Sequence, residues 1–214
     1  MRTDPAAART AGTVGTWALA GFWVLVVVAG HLQPGYRPSR DYVSALASEG
    51  ARLPGLGILA LVLLGVAYVA AAGVLGRTFG SWFGLALMVG AGLLTWVVAF
   101  ARIHCPRGAG ACLGRDAAPA SFGPHLHGWG VAASYTLVAG SMLWLAVTLW
   151  LRSRRGLALA SAVALVASLA TVPSWVGTES PGGAQRLWLG IISAWVVLVC
   201  SLPIIAAARP EEEP

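Results

Sequence analysis

The sequence predicts an all-α, polytopic membrane protein whose six transmembrane helices form one bundle. Six long apolar runs fill most of the 214 residues, and nearly every ionisable residue lies between these runs or outside them. Hydrophobic residues make up 57% of the chain and charged residues only 10%. The mean hydropathy of +0.76 lies outside the range of soluble domains. We therefore expect the lipid bilayer to be the solvent of this chain.

A helix that crosses the hydrocarbon core, which is roughly 30 Å thick, needs about 20 mainly apolar residues. Runs of that kind predict one domain over residues 13–208, with spans at 14–32, 54–75, 81–101, 125–150, 157–173 and 186–208. The first run is longer than the core of a secretory signal peptide, and no small-residue cleavage site follows it, so we expect it to remain as a span. Residues 1–12 and 209–214 are expected to be tails, the first of them disordered.

The arginines divide equally between the two predicted sides of the membrane. The tight run Arg152-Ser153-Arg154-Arg155 lies between the fourth and fifth spans, and short loops count most in the positive-inside rule. Both termini are therefore predicted to be cytoplasmic. The formal net charge of +6 fits contact with anionic lipid headgroups. No aromatic-basic pattern typical of a nucleic-acid-binding module is present.

The first outer loop carries a cluster of polar residues between the first two spans. Residues 39–49 predict a short amphipathic helix at the membrane surface, with Ser39 as its N-cap and an apolar stripe along one side. Asp41 and Ser44 are three positions apart and would share one face of that helix. Two interpretations stay open for them, namely a functional site or local hydrogen bonding to the backbone.

The loop after the third span contains Cys105 and Cys112 with six residues between them. A disulfide between them is predicted if this loop lies outside the cytoplasm. Two free thiols and metal ligation remain as alternatives.

All four histidines, His31, His104, His125 and His127, map to the same predicted membrane boundary. A zinc or haem site that uses His104, His125 and His127 is one interpretation, because imidazole binds both zinc and haem iron. The other interpretation is that these are ordinary interfacial side chains. In a regular helix His125 and His127 would point about 200° apart, which weakens the case for a ligand shared between them.

The predicted spans lack the features of ion-coupled transporters and of common enzymes. No Asp, Glu, Lys, Arg or His falls near the middle of any span, whereas such residues mark proton relays and ion pathways. The chain also contains no phosphate-binding glycine loop, dinucleotide fingerprint, H-E-x-x-H helix or G-x-S-x-G turn.

Several short motifs together resemble a bacterial membrane family known as domain of unknown function 998. The first-loop signature comprises His31-Leu32-Gln33-Pro34-Gly35-Tyr36 and Arg40-Asp41-Tyr42-Val43-Ser44-Ala45-Leu46. Later landmarks follow in the same order: Cys105-Pro106, His125 or His127, and Gly183-Ala184-Gln185-Arg186-Leu187. The resemblance covers nearly the whole chain. It implies six helices in a bacterial inner membrane and no settled activity.

Because these landmarks fall on the outer face, we predict an outward-facing polar pocket roofed by the 39–49 helix. Its candidate catalytic residues are Asp41, Ser44, His104 and His127, and its candidate ligand-binding residues are Tyr36, Arg40 and Arg186. The leading hypothesis is binding of a membrane lipid, a membrane-protein partner or a second copy of the chain. A zinc-dependent lipid hydrolase is the first alternative. A haem or quinone redox protein, with His31 and His127 as axial ligands, is the second.

Overall fold

The computed structural model describes residues 4–104, 122–172 and 180–207. Within these ranges the chain is entirely helical, with α1 Pro5–Leu32, α2 Pro54–Phe79, α3 Trp82–Phe100, α4 Phe122–Leu151, α5 Arg155–Thr171 and α6 Pro181–Ala207. A 3-10 helix, Val43–Ala47, lies between α1 and α2. Five of the α-helices are long and apolar enough to cross a membrane, whereas α5 has 17 residues. The all-α membrane class is confirmed.

Consecutive helices pack side by side, and α6 returns to contact α1 and α2, so that the bundle closes on itself. Helix α2 lies deepest, and Ala67, Ala71 and Ala72 on it are fully buried. The α2 and α3 backbones approach closely at Gly65 and Gly92, because a Cβ on Gly92 would lie 2.8 Å from the Gly65 carbonyl oxygen. Small residues permit this approach, which membrane helices use in place of the hydrophobic effect.

Polar side chains inside the bundle bond across helices, since lipid offers them no partner. Thr95 on α3 and Ser134 on α4 have hydroxyl oxygens 3.0 Å apart, and both oxygens lie within hydrogen-bond distance of the Ala91 carbonyl. Each hydroxyl has one proton, so it donates either to that carbonyl or to the other hydroxyl. The Trp195 indole on α6 donates to the Ser161 hydroxyl on α5 at 2.8 Å. These bonds tie α3 to α4 and α5 to α6.

The largest differences from the predicted helix boundaries are at the starts of α1 and α6. Helix α1 begins at Pro5, so residues 5–12, which were expected to be disordered, are helical. The reason is local, because the Asp4 carboxylate accepts the N–H groups of Ala6 and Ala7 and Pro5 takes the first helical position. Helix α6 begins at Pro181, five residues before the predicted start.

Candidate functional site

The segment that joins α1 to α2, residues 33–53, covers the adjoining ends of α3 and α6 and is called the cap below. Its 3-10 helix is buried along its whole length, with Val43 3% and Leu46 2% exposed. The predicted amphipathic helix over 39–49 is therefore wrong in extent and in exposure. Tyr42, and not Ser39, precedes the helix, and no side chain caps it. The apolar stripe contacts the rest of the protein, and sequence periodicity cannot distinguish contact with protein from contact with lipid.

Arg186 in the first turns of α6 fastens the beginning of the cap. Its Nη1 donates to the carbonyl oxygens of Pro38, Asp41 and Gly182, the last two at 2.8 and 3.0 Å. Its Nη2 donates to the Tyr36 hydroxyl, and its Cζ lies 5.4 Å from the centroid of the Tyr36 ring. Among the described residues, no carboxylate lies within ion-pair distance of Arg186. The guanidinium thus bonds to neutral acceptors.

Tyr36 is the second side chain of this contact. Its hydroxyl donates to the Tyr42 carbonyl at 3.2 Å and accepts from Arg186. Burial raises the pKa of the Tyr36 phenol, and this effect outweighs the nearby guanidinium of Arg186, which lowers it. Tyr36 therefore stays protonated and can donate at neutral pH.

The α6 backbone also contacts the cap directly. The Gly183 N–H donates to the Ser39 carbonyl at 2.8 Å, and the Gln185 side-chain oxygen accepts the Val43 N–H at 2.7 Å. A Cβ on Gly182 would overlap the backbone of Asp41. Only glycine fits at residue 182, whereas residue 183 has room for a Cβ.

Asp41 bonds within its own loop. Its carboxylate Oδ2 accepts the Arg37 N–H at 2.6 Å, and the Arg37 carbonyl accepts the N–H groups of Arg40 and Asp41. The turn 37–41 is therefore closed on itself, and Asp41 is only 5% exposed. The local hydrogen bond is the interpretation that this geometry favours for Asp41. Arg37 and Arg40 are exposed on the turn.

The other end of the cap is fastened by residues that follow α3. Arg102 donates through Nε to the Ala47 carbonyl at 3.1 Å and through Nη2 to the Ser48 carbonyl at 2.9 Å. The Nδ1 atom of His104 lies 2.6 Å from the Glu49 carboxylate. Sequence reasoning missed Arg102, since an arginine directly after an apolar run is an ordinary feature of membrane proteins.

His127 closes the end of α3 and does not meet His125. Its Nδ1 lies 3.1 Å from the Val98 carbonyl oxygen and 3.0 Å from that of Ala101. Carbonyl oxygens only accept, so Nδ1 carries the proton. His125 is exposed and lines an open groove along the opposite face of α4, beside Trp129.

The structure therefore divides the candidate residues into two groups. Tyr36, Arg40, Asp41 and Arg186 belong to the α6 side of the cap, and His104 and His127 belong to the α3 side. Ser44 is buried in the 3-10 helix between them. In the part of the chain that the structure describes, no three metal-ligating side chains are grouped. A metal site that uses His104, His125 and His127 stays a prediction. Cys105 and Cys112 lie outside the described residues.

Comparison with known proteins gives one match. The sequence profile of a family described as Protein of unknown function (DUF998) matches residues 16–202. No curated protein and no solved structure matches. The matched range includes the whole cap and the start of α6, so both surfaces of the Arg186 contact lie within it.

Proposed function

Because this chain belongs to DUF998, a family of proteins of unknown function, its activity has to be inferred from its own residues, and we propose that it binds an anionic lipid headgroup at the cap. The binding group is the pair Arg37 and Arg40. Binding needs no catalytic step.

The proposal places all six α-helices across a bacterial inner membrane, with the cap outside and both termini in the cytoplasm. The 17 residues of α5 give a length of about 26 Å, which spans a core of roughly 30 Å only with little tilt and with local thinning of the bilayer. The arginine-rich connection between α4 and α5 favours this orientation.

The observation that carries the proposal is a fixed, exposed pair of arginines. The backbone bonds of the turn hold Arg37 and Arg40 one turn apart, and the Arg186 contact fixes that turn to α6. The Asp41 carboxylate accepts a hydrogen bond from the turn's own backbone. Arginine presents a planar fork that matches two oxygens of a phosphate, and fixing the backbone lowers the entropy cost of binding.

Arg186 and Tyr36 have a positioning role in this proposal. Three carbonyl oxygens and the Tyr36 hydroxyl already accept from the two terminal nitrogens of Arg186. Its charge still adds to the positive potential around the turn. The three candidate ligand-binding residues of the sequence therefore have two roles in this proposal. Arg40 contacts the headgroup together with Arg37, and Tyr36 and Arg186 hold the turn.

Photocrosslinking tests this site directly. The protein is placed in nanodiscs that contain phosphatidylglycerol or phosphatidylcholine with a diazirine near the headgroup, and label is quantified on the chymotryptic peptide of residues 37–42. Each arginine near an anionic surface contributes about 1 kcal/mol, so two of them give a preference of roughly thirtyfold for phosphatidylglycerol. Arg37→Gln/Arg40→Gln should reduce the preference to near one, and Arg9→Gln/Arg77→Gln, which removes the same charge from exposed positions at the other end of the bundle, should retain it. Equal labelling by both lipids in the wild type would refute the proposal.

A second candidate function is a metal-dependent lipid hydrolase. The observation that favours it is the oxygen contact at Nδ1 of both His104 and His127, since carboxylates and carbonyls orient metal-ligating histidines in this way. Metal analysis and an absorbance spectrum of wild type and of His104→Ala/His127→Ala test it. Near-stoichiometric zinc that is lost in the variant would support the hydrolase, and a Soret band lost in the variant would support a haem protein instead.

A further inference from the structure

The connection between α4 and α5, residues 150–155, has a defined backbone geometry at the opposite end of the bundle from the cap. The Arg154 N–H donates to the Leu149 carbonyl at 2.9 Å, and the Ser153 N–H donates to the Trp150 carbonyl at 3.0 Å. Ser153 adopts the left-handed region with φ of 58°. Together these features form a Schellman motif, which ends α4 and turns the chain directly into α5.

Arg152 fastens this connection to α2. Its Cζ lies 4.9 Å from the centroid of the Phe79 ring, and its Nη2 is 3.4 Å from the Phe79 carbonyl oxygen. The Arg155 guanidinium lies over the Trp150 ring, with 5.6 Å from Cζ to the centroid. The connection is therefore held to α2 by Arg152 and closed within itself by the contact of Arg155 with Trp150.

The charge of the connection is not balanced within the described part of the chain. Arg152, Arg154 and Arg155 are exposed, and no described carboxylate lies within ion-pair distance of them. Asp4 is the only described acid at this end of the bundle, and its carboxylate caps α1. The first turn of α5 also contains no acidic residue and has no side-chain cap, so nothing in that turn offsets the positive charge.

Exposed apolar residues place the connection at a membrane interface. Leu151 is 78% exposed and Trp150 is 53% exposed, although they follow directly on the buried Leu149. Tryptophan anchors a helix at the level of the lipid headgroups, and arginine side chains reach from there to the phosphates. A lipid therefore supplies both the apolar and the anionic partner that this surface needs.

We propose that the connection binds the phosphate of an anionic membrane lipid, at a site separate from the cap. Arg154 and Arg155 contact the phosphate, and Arg152 holds the turn that presents them. The site depends on the proposed insertion of the helices in a membrane, but it does not depend on lipid binding at the cap.

The same nanodisc experiment tests this site on a different peptide, the chymotryptic peptide of residues 152–157. Wild type should be labelled at least tenfold more by the phosphatidylglycerol probe than by the phosphatidylcholine probe. Arg154→Gln/Arg155→Gln should bring that ratio below twofold, whereas the charge-matched Arg9→Gln/Arg52→Gln should leave it unchanged. Arg154→Lys/Arg155→Lys should retain most of the preference, because the charge remains.

Three outcomes would overturn the proposal. The first is equal labelling of this peptide by both probes in wild type, and the second is a preference for phosphatidylglycerol that survives in Arg154→Gln/Arg155→Gln. The third is loss of labelling when 10 mM inorganic phosphate is added, because that loss would indicate a site for free phosphate. The wild-type comparison does not depend on how well a variant folds. Labelling of residues 37–42 reports the cap independently, so either site can fail alone.

Discussion

Replacing Arg186 with methionine should undock the beginning of the cap from α6 without unfolding the bundle. Methionine approximates the length of the side chain but donates no hydrogen bond. Three acceptors of the cap then lose their donor: the carbonyl oxygens of Pro38 and Asp41 and the hydroxyl of Tyr36. A buried acceptor without a partner costs about 1–3 kcal/mol, and the lower end applies because Arg186 is only half-buried. The sum is about 3 kcal/mol.

Hydrogen exchange measures this loss at two amides whose hydrogen bonds form only when the cap is docked on α6. The Val43 N–H is bonded to Gln185, and the Gly183 N–H is bonded to Ser39. A loss of about 3 kcal/mol should lower their protection by roughly a hundredfold, at 1.36 kcal/mol for each factor of ten. Amides in the middle of α2 should keep their protection.

Arg40→Met is the matched control, because Arg40 is an exposed arginine of the same cap. It should leave the protection of the Val43 and Gly183 amides unchanged. Arg186→Lys should be intermediate, since the charge remains but the fork of donors is lost. Unchanged protection in Arg186→Met, or an equal loss over the whole bundle, would refute the assigned role of Arg186.

The remaining predictions concern the other contacts of the cap and of α3. Gly182→Ala should lower the midpoint of thermal unfolding by several degrees, because the added Cβ overlaps the cap backbone. Gly183→Ala is the control and should change the midpoint little, because its Cβ would lie 3.7 Å from its nearest neighbour. The phenol of Tyr36 has a pKa above its ordinary value of 10.0, so its contribution to stability is complete below pH 10 and is lost as the pH rises through the raised pKa. The absorbance of tyrosinate, compared between wild type and Tyr36→Phe as the pH is raised, should show that Tyr36 ionises above its ordinary pKa of 10.0. His127→Ala should cost about 1–2 kcal/mol and His127→Asn less, because asparagine retains a donor; equal losses would contradict the bond to the end of α3.

Much of the fold follows from the sequence because membrane helices are long and continuous. Helices α2 and α3 begin at Pro54 and Trp82, where the apolar runs predict them within one residue. The start of α1 is nine residues earlier than predicted, because the Asp4 cap supports the helix outside the apolar run. A hydropathy argument detects the lipid-facing part of a helix and not its extension into water.

The site was less predictable because its main partners are backbone carbonyls. The two motif segments that contain Tyr36 and Arg186 do contact each other in the structure. Arg102 performs the same task at the other end of the cap, yet no sequence signal marks it. Every residue has a carbonyl group, so the sequence does not reveal which carbonyl an arginine will bind.

Because their partners are carbonyl oxygens, the attachments that Arg186 and Arg102 make to the cap do not depend on a carboxylate, unlike the contact between His104 and Glu49. Carboxylates that pair with arginine are lost as partners when the medium acidifies, but the oxygens bonded to Arg186 and Arg102 have no proton to gain in that range. The guanidinium itself keeps its charge at every pH a cell meets. These two attachments should therefore hold unchanged when the surrounding medium is acidified, whereas a surface assembled from ion pairs would loosen.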